Sequence, residues 1–211
     1  MSHYLLSTAQ QGSEQWLLDR LGRVTGSRAS DALSGEKTAG YRNYLAQLAV
    51  ERIGGKSLED TYVSRDMEWG IATEPFARMA YEGLTGELVP EAGFAYLPTI
   101  MAGCSVDGFV GDDGILEIKC PKTATHIAYL LGGVFPTEYA PQVMHNLWVT
   151  GKRFADFVSF DPRVPQPLQL FVLRVTTHEL TSFIRDYEGR VMRFLFDVAD
   201  MELRLRERMK Q

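Results

Sequence analysis

Three charged residues in the middle of the chain have a spacing that could serve catalysis. Asp107 comes from one β-prone run, and Glu117 and Lys119 come from the next. Because side chains two apart on a strand share a face, Glu117 and Lys119 point together, while Leu116 and Ile118 point the other way. Two carboxylates with waters and a substrate phosphate can hold Mg²⁺, and a neighbouring lysine can stabilise developing charge. The pattern is typical of metal-dependent phosphodiester cleavage.

The same residues also have a less specific interpretation. Glu-x-Lys is common on solvated strands and Asp-Gly is common in turns. Taken alone, such residues lie more often on a surface than in a site. The neighbouring motifs therefore have to decide between the two interpretations.

The hairpin between the two runs must have a particular register if the three residues act together. A two-residue turn at Asp112-Asp113 would place Asp107 opposite Ile118, on the wrong face for the other two charged residues. We therefore expect a β-bulge or an odd-length loop after Asp107, with Gly108 or Gly111 as its natural position.

Composition favours an ordinary folded protein. The 211 residues are 45% hydrophobic and 23% charged, enough for one packed domain. No apolar run has membrane-spanning length and the N-terminus lacks a signal peptide, so we expect no membrane contact. Cys104 and Cys120 do not look like a disulfide framework, so a cytoplasmic location is expected by default. Two cysteines cannot alone supply four ligands to an iron–sulfur cluster. The net charge of −5 argues only mildly against nucleic acid, because binding depends on local potential.

The elements that position these residues follow from periodicity and turn signals. Helices are predicted over roughly 14–21, 25–33, 40–53, 65–84, 123–131, 137–149 and from 177 onward. Strands are predicted within 87–120 and over 154–160 and 168–175. Glu74-Pro75 predicts a kink or a break near Ala72.

This order of elements predicts an α/β fold with a central mixed sheet flanked by helices. We expect one domain over residues 1–211. Its parts are a helical segment over 1–86, a sheet core over 87–175 and a terminal helix over 177–211.

Further short motifs occur in a fixed order along the chain. They are Trp16…Arg20-Leu21-Gly22, Thr25-x-Ser27, Trp69-Gly70-x3-Glu74-x3-Arg78, Cys104-Ser105-x-Asp107-Gly108, Leu116-Glu117-x-Lys119-Cys120-Pro121, Leu131-Gly132-Gly133, Gln142-Val143, Trp148-Val149-Thr150-x-Lys152 and Asp161-Pro162-Arg163. The ordered set resembles the lambda-type phage recombination exonucleases (alkaline exonucleases) of the PD-(D/E)xK nuclease superfamily. It covers roughly residues 13–163 and implies a restriction-endonuclease-like core.

The resemblance implies a metal site. Asp107 and Glu117 would bind metal directly, with the backbone carbonyl of Ile118 as a third oxygen. Two Mg²⁺ ions would suit an in-line displacement, and Mn²⁺ also suits oxygen ligands.

The resemblance also implies roles for side chains around that site. Lys119 would position the attacking water and stabilise charge, and Glu74 would hold a metal-bound water. Gln142 would reach the nucleophile from the helix behind the sheet. His145 shares that helix, but such a histidine more often packs and hydrogen-bonds than acts in catalysis.

A pocket for a terminal 5′-phosphate is implied by three further residues. Arg20 offers a planar fork of donors, Ser27 a hydroxyl near a helix start, and Ser105 another hydroxyl. Thr125 stands where relatives can place an arginine. Lys122 or His126 could replace that contact.

The function implied by the resemblance is a Mg²⁺-dependent 5′→3′ exonuclease on linear double-stranded DNA that leaves 3′ overhangs. The family implies a ring-shaped homotrimer and a single-strand annealing protein as partner. The alternatives are an endonuclease or repair nuclease of the same superfamily, or a non-catalytic scaffold that binds DNA ends.

Overall fold

The computed structural model describes residues 4–59 and 62–211 and alternates helices with short strands. The α-helices in these ranges are α1 (Glu14–Arg20), α2 (Ala29–Leu33), α3 (Ala39–Gly54), α4 (Arg65–Thr85), α5 (Thr123–Gly132), α6 (Ala140–Thr150) and α7 (Thr181–Arg208). The strands are β1 (Leu5–Leu6), β2 (Val24–Thr25), β3 (Phe94–Tyr96), β4 (Ala102–Ser105), β5 (Gly108–Val110), β6 (Gly114–Lys119), β7 (Phe154–Phe160) and β8 (Leu170–Thr176).

Local sequence signals set the ends of several helices. The hydroxyls of Ser13, Thr38 and Ser64 accept backbone hydrogen bonds at the N-termini of α1, α3 and α4. Gly55 and Gly86 end α3 and α4 with positive φ angles of 66° and 75°, a conformation that costs glycine little. These helices therefore begin and end within one or two residues of the predicted positions.

Two helix predictions differ from the structure. The chain stays helical across Pro75, so a break near Ala72 is wrong. Ala77 and Tyr81 of α4 are fully buried, and this packing outweighs the local cost of proline. The last helix begins at Thr181 instead of 177, because Glu179 accepts hydrogen bonds from the backbone and hydroxyl of Thr176 and forms a turn there.

The strands form two four-stranded mixed sheets. The first has the order β1-β3-β4-β2 and is parallel only between β2 and β4. The second has the order β5-β6-β7-β8 and is parallel only between β6 and β7. The predicted mixed sheet is thus divided at Val106 and Asp107, between β4 and β5. Residues 1–86, predicted as helical, also supply β1 and β2.

The hairpin of β5 and β6 has the odd-length loop that the sequence predicts. Gly108 pairs with Leu116 and Val110 with Gly114, leaving the three residues 111–113 as the loop. Gly111 has a φ of 53°, in the left-handed region. Continued by one residue, this register places Asp107 opposite Glu117, so the two carboxylates share a face.

Helices cover both faces of the second sheet. Ala77 and Tyr81 of α4 pack with Leu116 and Ile118 of β6 on one face. α5 and α6 lie on the other face, which carries Glu117. A further cluster joins α2, α3 and α7. None of the helices in the described ranges is both long and apolar enough to cross a membrane.

Candidate active site

Asp107 lies where the chain passes from the first sheet to the second. Its backbone N–H donates to the carbonyl of Leu116 at 3.2 Å. Its Oδ2 accepts from the backbone N–H of Ile118 at 2.6 Å. Both bonds reach β6, so the hairpin register fixes the Asp107 carboxylate beside Glu117.

Glu117 is the buried centre of the site, with 1% of its surface exposed. Its Oε1 accepts from Gln142 Nε2 at 2.6 Å and from Lys119 Nζ at 2.6 Å. Its Oε2 accepts from Asn146 Nδ2 at 3.0 Å. Both oxygens of the carboxylate are therefore held, one of them by two donors.

The electrostatics follow from removing two carboxylates from water. Burial raises the pKa of Glu117 to about 7; Lys119 opposes this shift and the charge of Asp107 adds to it. Burial also raises the pKa of Asp107, against the opposing effects of Lys119 and the Ile118 N–H. Burial alone would lower the pKa of Lys119, but the two carboxylates outweigh it and the net pKa is raised.

This donor set fits a hard divalent cation. Two desolvated carboxylates with raised pKa values face one ammonium, which leaves negative charge that a cation would neutralise. Within residues 4–59 and 62–211, no three or more His, Cys, Asp or Glu side chains are grouped to hold a metal. Asp107 and Glu117 would therefore need the Ile118 carbonyl, water or substrate oxygens to complete a coordination shell.

Glu74 and Gln142 approach the site from opposite sides. Glu74, on α4, pairs with Arg78 at 2.9 Å, and Arg78 in turn donates to the backbone carbonyl of Asp107. Burial and the nearby Asp107 charge raise the pKa of Glu74. On α6, Gln142 donates to Glu117 and accepts weakly from Lys119 at 3.4 Å. The structure thus brings these predicted site residues together.

A cavity of about 770 Å³ opens in front of Lys119. Its walls come from the first turns of α4, the end of β6 with the residues that follow, and Arg163. Lys119 keeps 24% of its side chain exposed. Of Asp107, Glu117 and Lys119, the lysine is the one that lines this cavity, so it can contact a substrate there.

The three residues predicted for a phosphate pocket lie close to the site, but Arg20 is engaged. Its guanidinium binds both oxygens of Glu59, at 2.8 and 3.2 Å, and lies 4.2 Å from the centre of the Trp16 ring. Trp16 Nε1 donates to Ser105 Oγ at 3.2 Å. Trp16 thus contacts both Arg20 and Ser105, and Ser105 is two residues from Asp107 in the chain.

Ser27 is exposed in the 3₁₀ turn over Gly26–Arg28. A Cβ on Gly26 would lie only 2.4 Å from Asn146 Oδ1, so this turn packs closely against α6. Hydrogen bonds link Ser27 to neither Arg20 nor Ser105 in the described part of the chain. The turn nevertheless places Ser27 beside the helix that holds Glu117.

Lys122 and His126 are the two candidates to replace the phosphate contact of an arginine at position 125. The prediction is wrong for His126. It is fully buried, and its ring nitrogens bond to Ser159 Oγ at 2.7 Å and to the Leu168 carbonyl at 2.8 Å. Lys122 lines the cavity together with Thr125 but pairs with Asp66 at 3.1 Å.

His145 packs in the interior. It is fully buried between Tyr187, at 2.6 Å, and the carbonyl of Gly103, at 2.8 Å, and burial lowers its pKa to about 4. The tautomer that satisfies both bonds is neutral, with Nε2–H donating to the carbonyl. This histidine is a packed core residue.

Sequence reasoning missed Asn146. It is fully buried and donates to Glu117, and its Oδ1 has no hydrogen-bond partner among the described residues. The available signal was its position four residues after Gln142, which puts both amides on one face of α6.

The chain is similar to known proteins over most of its length. Residues 15–153 match the YqaJ-like viral recombinase domain. The alkaline exonuclease LHK-Exo from Laribacter hongkongensis is 37% identical, with a TM-score of 0.84 over 94% of this chain and 98% of that one. Its complex with dAMP aligns equally well. A phage-related exonuclease from Haemophilus somnus 129PT, 14% identical, shares the fold with a TM-score of 0.62 over 86% and 96% of the chains. No curated protein matches the sequence.

Proposed function

The chain belongs to the YqaJ-like viral recombinase family, and we propose that it is a Mg²⁺-dependent exonuclease on linear double-stranded DNA. The likeness to lambda-type recombination exonucleases is confirmed by 37% identity to an alkaline exonuclease over 94% of the chain. In this proposal the enzyme degrades one strand in the 5′→3′ direction. The 3′ overhang that remains serves recombination by strand annealing.

The observation that carries the proposal is the convergence of Asp107, Glu117 and Lys119. The hairpin register puts the two carboxylates side by side, and Lys119 bridges Glu117 to the cavity. A site that serves only structure gains little from burying two carboxylates beside each other, because their desolvation is costly. LHK-Exo forms a complex with dAMP, which supports a nucleotide as a ligand of this chain as well.

Bound Mg²⁺, as two ions, would neutralise charge on the phosphate and on the attacking and leaving oxygens. Asp107, Glu117 and the Ile118 carbonyl would hold it. Lys119 donates to a phosphate oxygen or to the attacking water, and Gln142 holds both Lys119 and Glu117 in place.

Each cycle adds water oxygen to the phosphorus and breaks the bond from phosphorus to the 3′-oxygen. The leaving 3′-oxygen takes up a proton, so a 5′-mononucleotide leaves and the shortened strand carries a new 5′-phosphate. A pocket of Arg20, Ser27 and Ser105 would bind that phosphate. Glu59 holds the Arg20 fork in the structure, so the phosphate must displace it.

The proposal includes an assembly and a partner. A homotrimeric ring around the duplex would retain an acidic protein on DNA without tight binding. A single-strand annealing protein would receive the 3′ overhang in the cytoplasm.

The test uses a linear duplex with one 5′-phosphate end and one 5′-hydroxyl end. We expect Mg²⁺ to release mononucleotides from the phosphorylated end, and EDTA or Glu117→Ala to abolish release. Glu87→Ala, an exposed carboxylate outside the site, serves as the control and should keep full activity. Cleavage of a covalently closed circle would point instead to the endonuclease alternative. Duplex binding without any cleavage would point to the non-catalytic scaffold that binds DNA ends.

A further inference from the structure

Arg163 is held rigidly at the edge of the active-site cavity. Its Nε and Nη2 bind the two oxygens of Asp161 at 2.7 and 3.0 Å, and Asp161 is fully buried. Thr123 donates to the same carboxylate at 2.6 Å. The guanidinium carbon lies 4.4 Å from the centre of the Trp69 ring. A carboxylate behind and an indole against its face therefore fix the orientation of this arginine.

The exposed edge of Arg163 faces the cavity. Its side chain is 45% exposed and lines the cavity with Trp69, Lys119, Lys122 and Thr125. Its Nη2 also donates to the carbonyl of Pro121 at 3.1 Å. Within residues 4–59 and 62–211, the hydrogen bonds of Arg163 use its backbone N–H, Nε and Nη2, so Nη1 has no partner there. This nitrogen can only donate hydrogen bonds, so it suits an anion in the cavity.

We infer that Arg163, supported by Trp69, binds a backbone phosphate of the DNA strand that enters the cavity. The other two cations of this wall have carboxylate partners: Lys119 pairs with Glu117, and Lys122 with Asp66. Arg163 also has a partner, but Asp161 lies buried behind the guanidinium, so the cavity meets the donors and not the carboxylate. Thr125, which stands where relatives can place an arginine, offers this cavity only a hydroxyl. Arg163 supplies the guanidinium instead.

The protein contains a matched control. Arg174 binds both oxygens of the buried Asp156 at 2.7 Å and stacks on Phe154, 3.7 Å from the ring centre. Its side chain is 53% exposed. It lies on β8 and does not line the cavity. Arg163→Gln and Arg174→Gln therefore remove the same kind of contact, and only the first removes a donor from the cavity.

The inference rests on the proposed nuclease function, and the experiment separates the two. Binding of a fluorescent 5′-phosphorylated duplex is measured by anisotropy in EDTA at several NaCl concentrations, with mononucleotide release in Mg²⁺ measured in parallel. We expect Arg163→Gln to weaken binding about tenfold and to reduce the salt slope by about 1, while Arg174→Gln stays within about twofold of wild type. Arg163→Lys keeps the charge near Asp161 but loses the planar fork, so its affinity for the duplex should fall between those of Arg163→Gln and Arg174→Gln.

Equal effects of Arg163→Gln and Arg174→Gln on duplex affinity and its salt slope would overturn the inference. The proposed nuclease function would then still stand. Wild-type protein that neither binds nor cleaves the duplex would overturn both. If Arg163→Gln fails to fold, Arg163→Lys decides: a salt slope and affinity equal to wild type would overturn the inference, whereas weaker binding with a normal unfolding temperature would support it.

Discussion

At the scale of single residues, the site depends on how Glu117 is held. Its two oxygens take different donors: Gln142 and Lys119 bind one, and Asn146 binds the other. Gln142 and Asn146 are one turn apart on α6. One helix face therefore sets the orientation of the carboxylate that the proposed function places at its centre.

Asn146→Ala should slow mononucleotide release and shift its Mg²⁺ dependence to higher concentration. The substitution leaves a buried carboxylate oxygen without its donor, which costs roughly 1–3 kcal/mol and loosens the orientation of Glu117. The measurement is the rate against Mg²⁺ concentration, with unfolding in urea as a check on the fold. Gln142→Ala should act in the same direction through the other oxygen. An unchanged Mg²⁺ profile in Asn146→Ala would show that Glu117 needs no such support.

His145 should make the fold less stable in mild acid. Its folded pKa of about 4 lies below the ordinary value of 6.5, so between these values the unfolded chain binds a proton that the folded chain does not. Stability from the neutral ring is therefore complete above pH 6.5 and is lost as pH falls toward 4. At about 1.4 kcal/mol per pKa unit, this fall corresponds to roughly 3 kcal/mol.

Urea unfolding of wild type and His145→Gln between pH 7 and pH 4 measures this effect. The variant carries no titrating ring, so its loss of stability over this range should be smaller. Parallel curves for the two proteins would contradict the assignment of the pH dependence to His145.

At the scale of elements, the sequence predicts the register of the β5–β6 hairpin better than it predicts the division into sheets. Side-chain alternation alone requires an odd-length loop if Asp107 and Glu117 share a face, and the three-residue loop has that parity. The division into two sheets depends on the pairing of β2 with β4, which lie far apart in the chain. The Arg20–Glu59 pair is likewise a contact between distant segments. Local periodicity carries no information on either.

Gly111 should be costly to replace, because it holds the loop that sets this register. Its φ of 53° lies in the left-handed region, and a β-branched side chain there costs roughly 1–2 kcal/mol. A Cβ at Gly111 would meet no heavy atom within 4 Å, so the cost comes from the backbone alone. We expect Gly111→Val to lower the free energy of unfolding by that amount and Gly111→Asn by less, since asparagine tolerates this conformation. Equal stabilities of the two variants in urea would contradict this reason.

At the scale of the whole molecule, charge and exposed apolar surface bear on the proposed ring. The net charge of −5 gives the chain no general attraction to DNA, and the cations that face the cavity act locally. α4 carries large exposed apolar side chains: Ile71, Phe76, Met79 and Leu84 are each more than half exposed. Apolar surface of this kind on a monomer often marks contacts with a partner.

Phe76 and Met79 provide the test of that assembly. They lie three residues apart on one side of α4, with 59% and 65% of their surfaces exposed. If they lie in the proposed trimer interface, wild type should have three times the chain mass of 23.7 kDa in light scattering, and Phe76→Asp with Met79→Asp should return the mass to that of one chain. Glu68→Lys changes the charge of the same helix without removing apolar surface and should stay trimeric. The double variant should then still cleave short duplexes, because its site lies within one chain, but release the DNA after fewer nucleotides.

A wild-type mass of one chain at micromolar concentration would show that retention on DNA needs another explanation, and a trimeric double variant would place the interface on a different face.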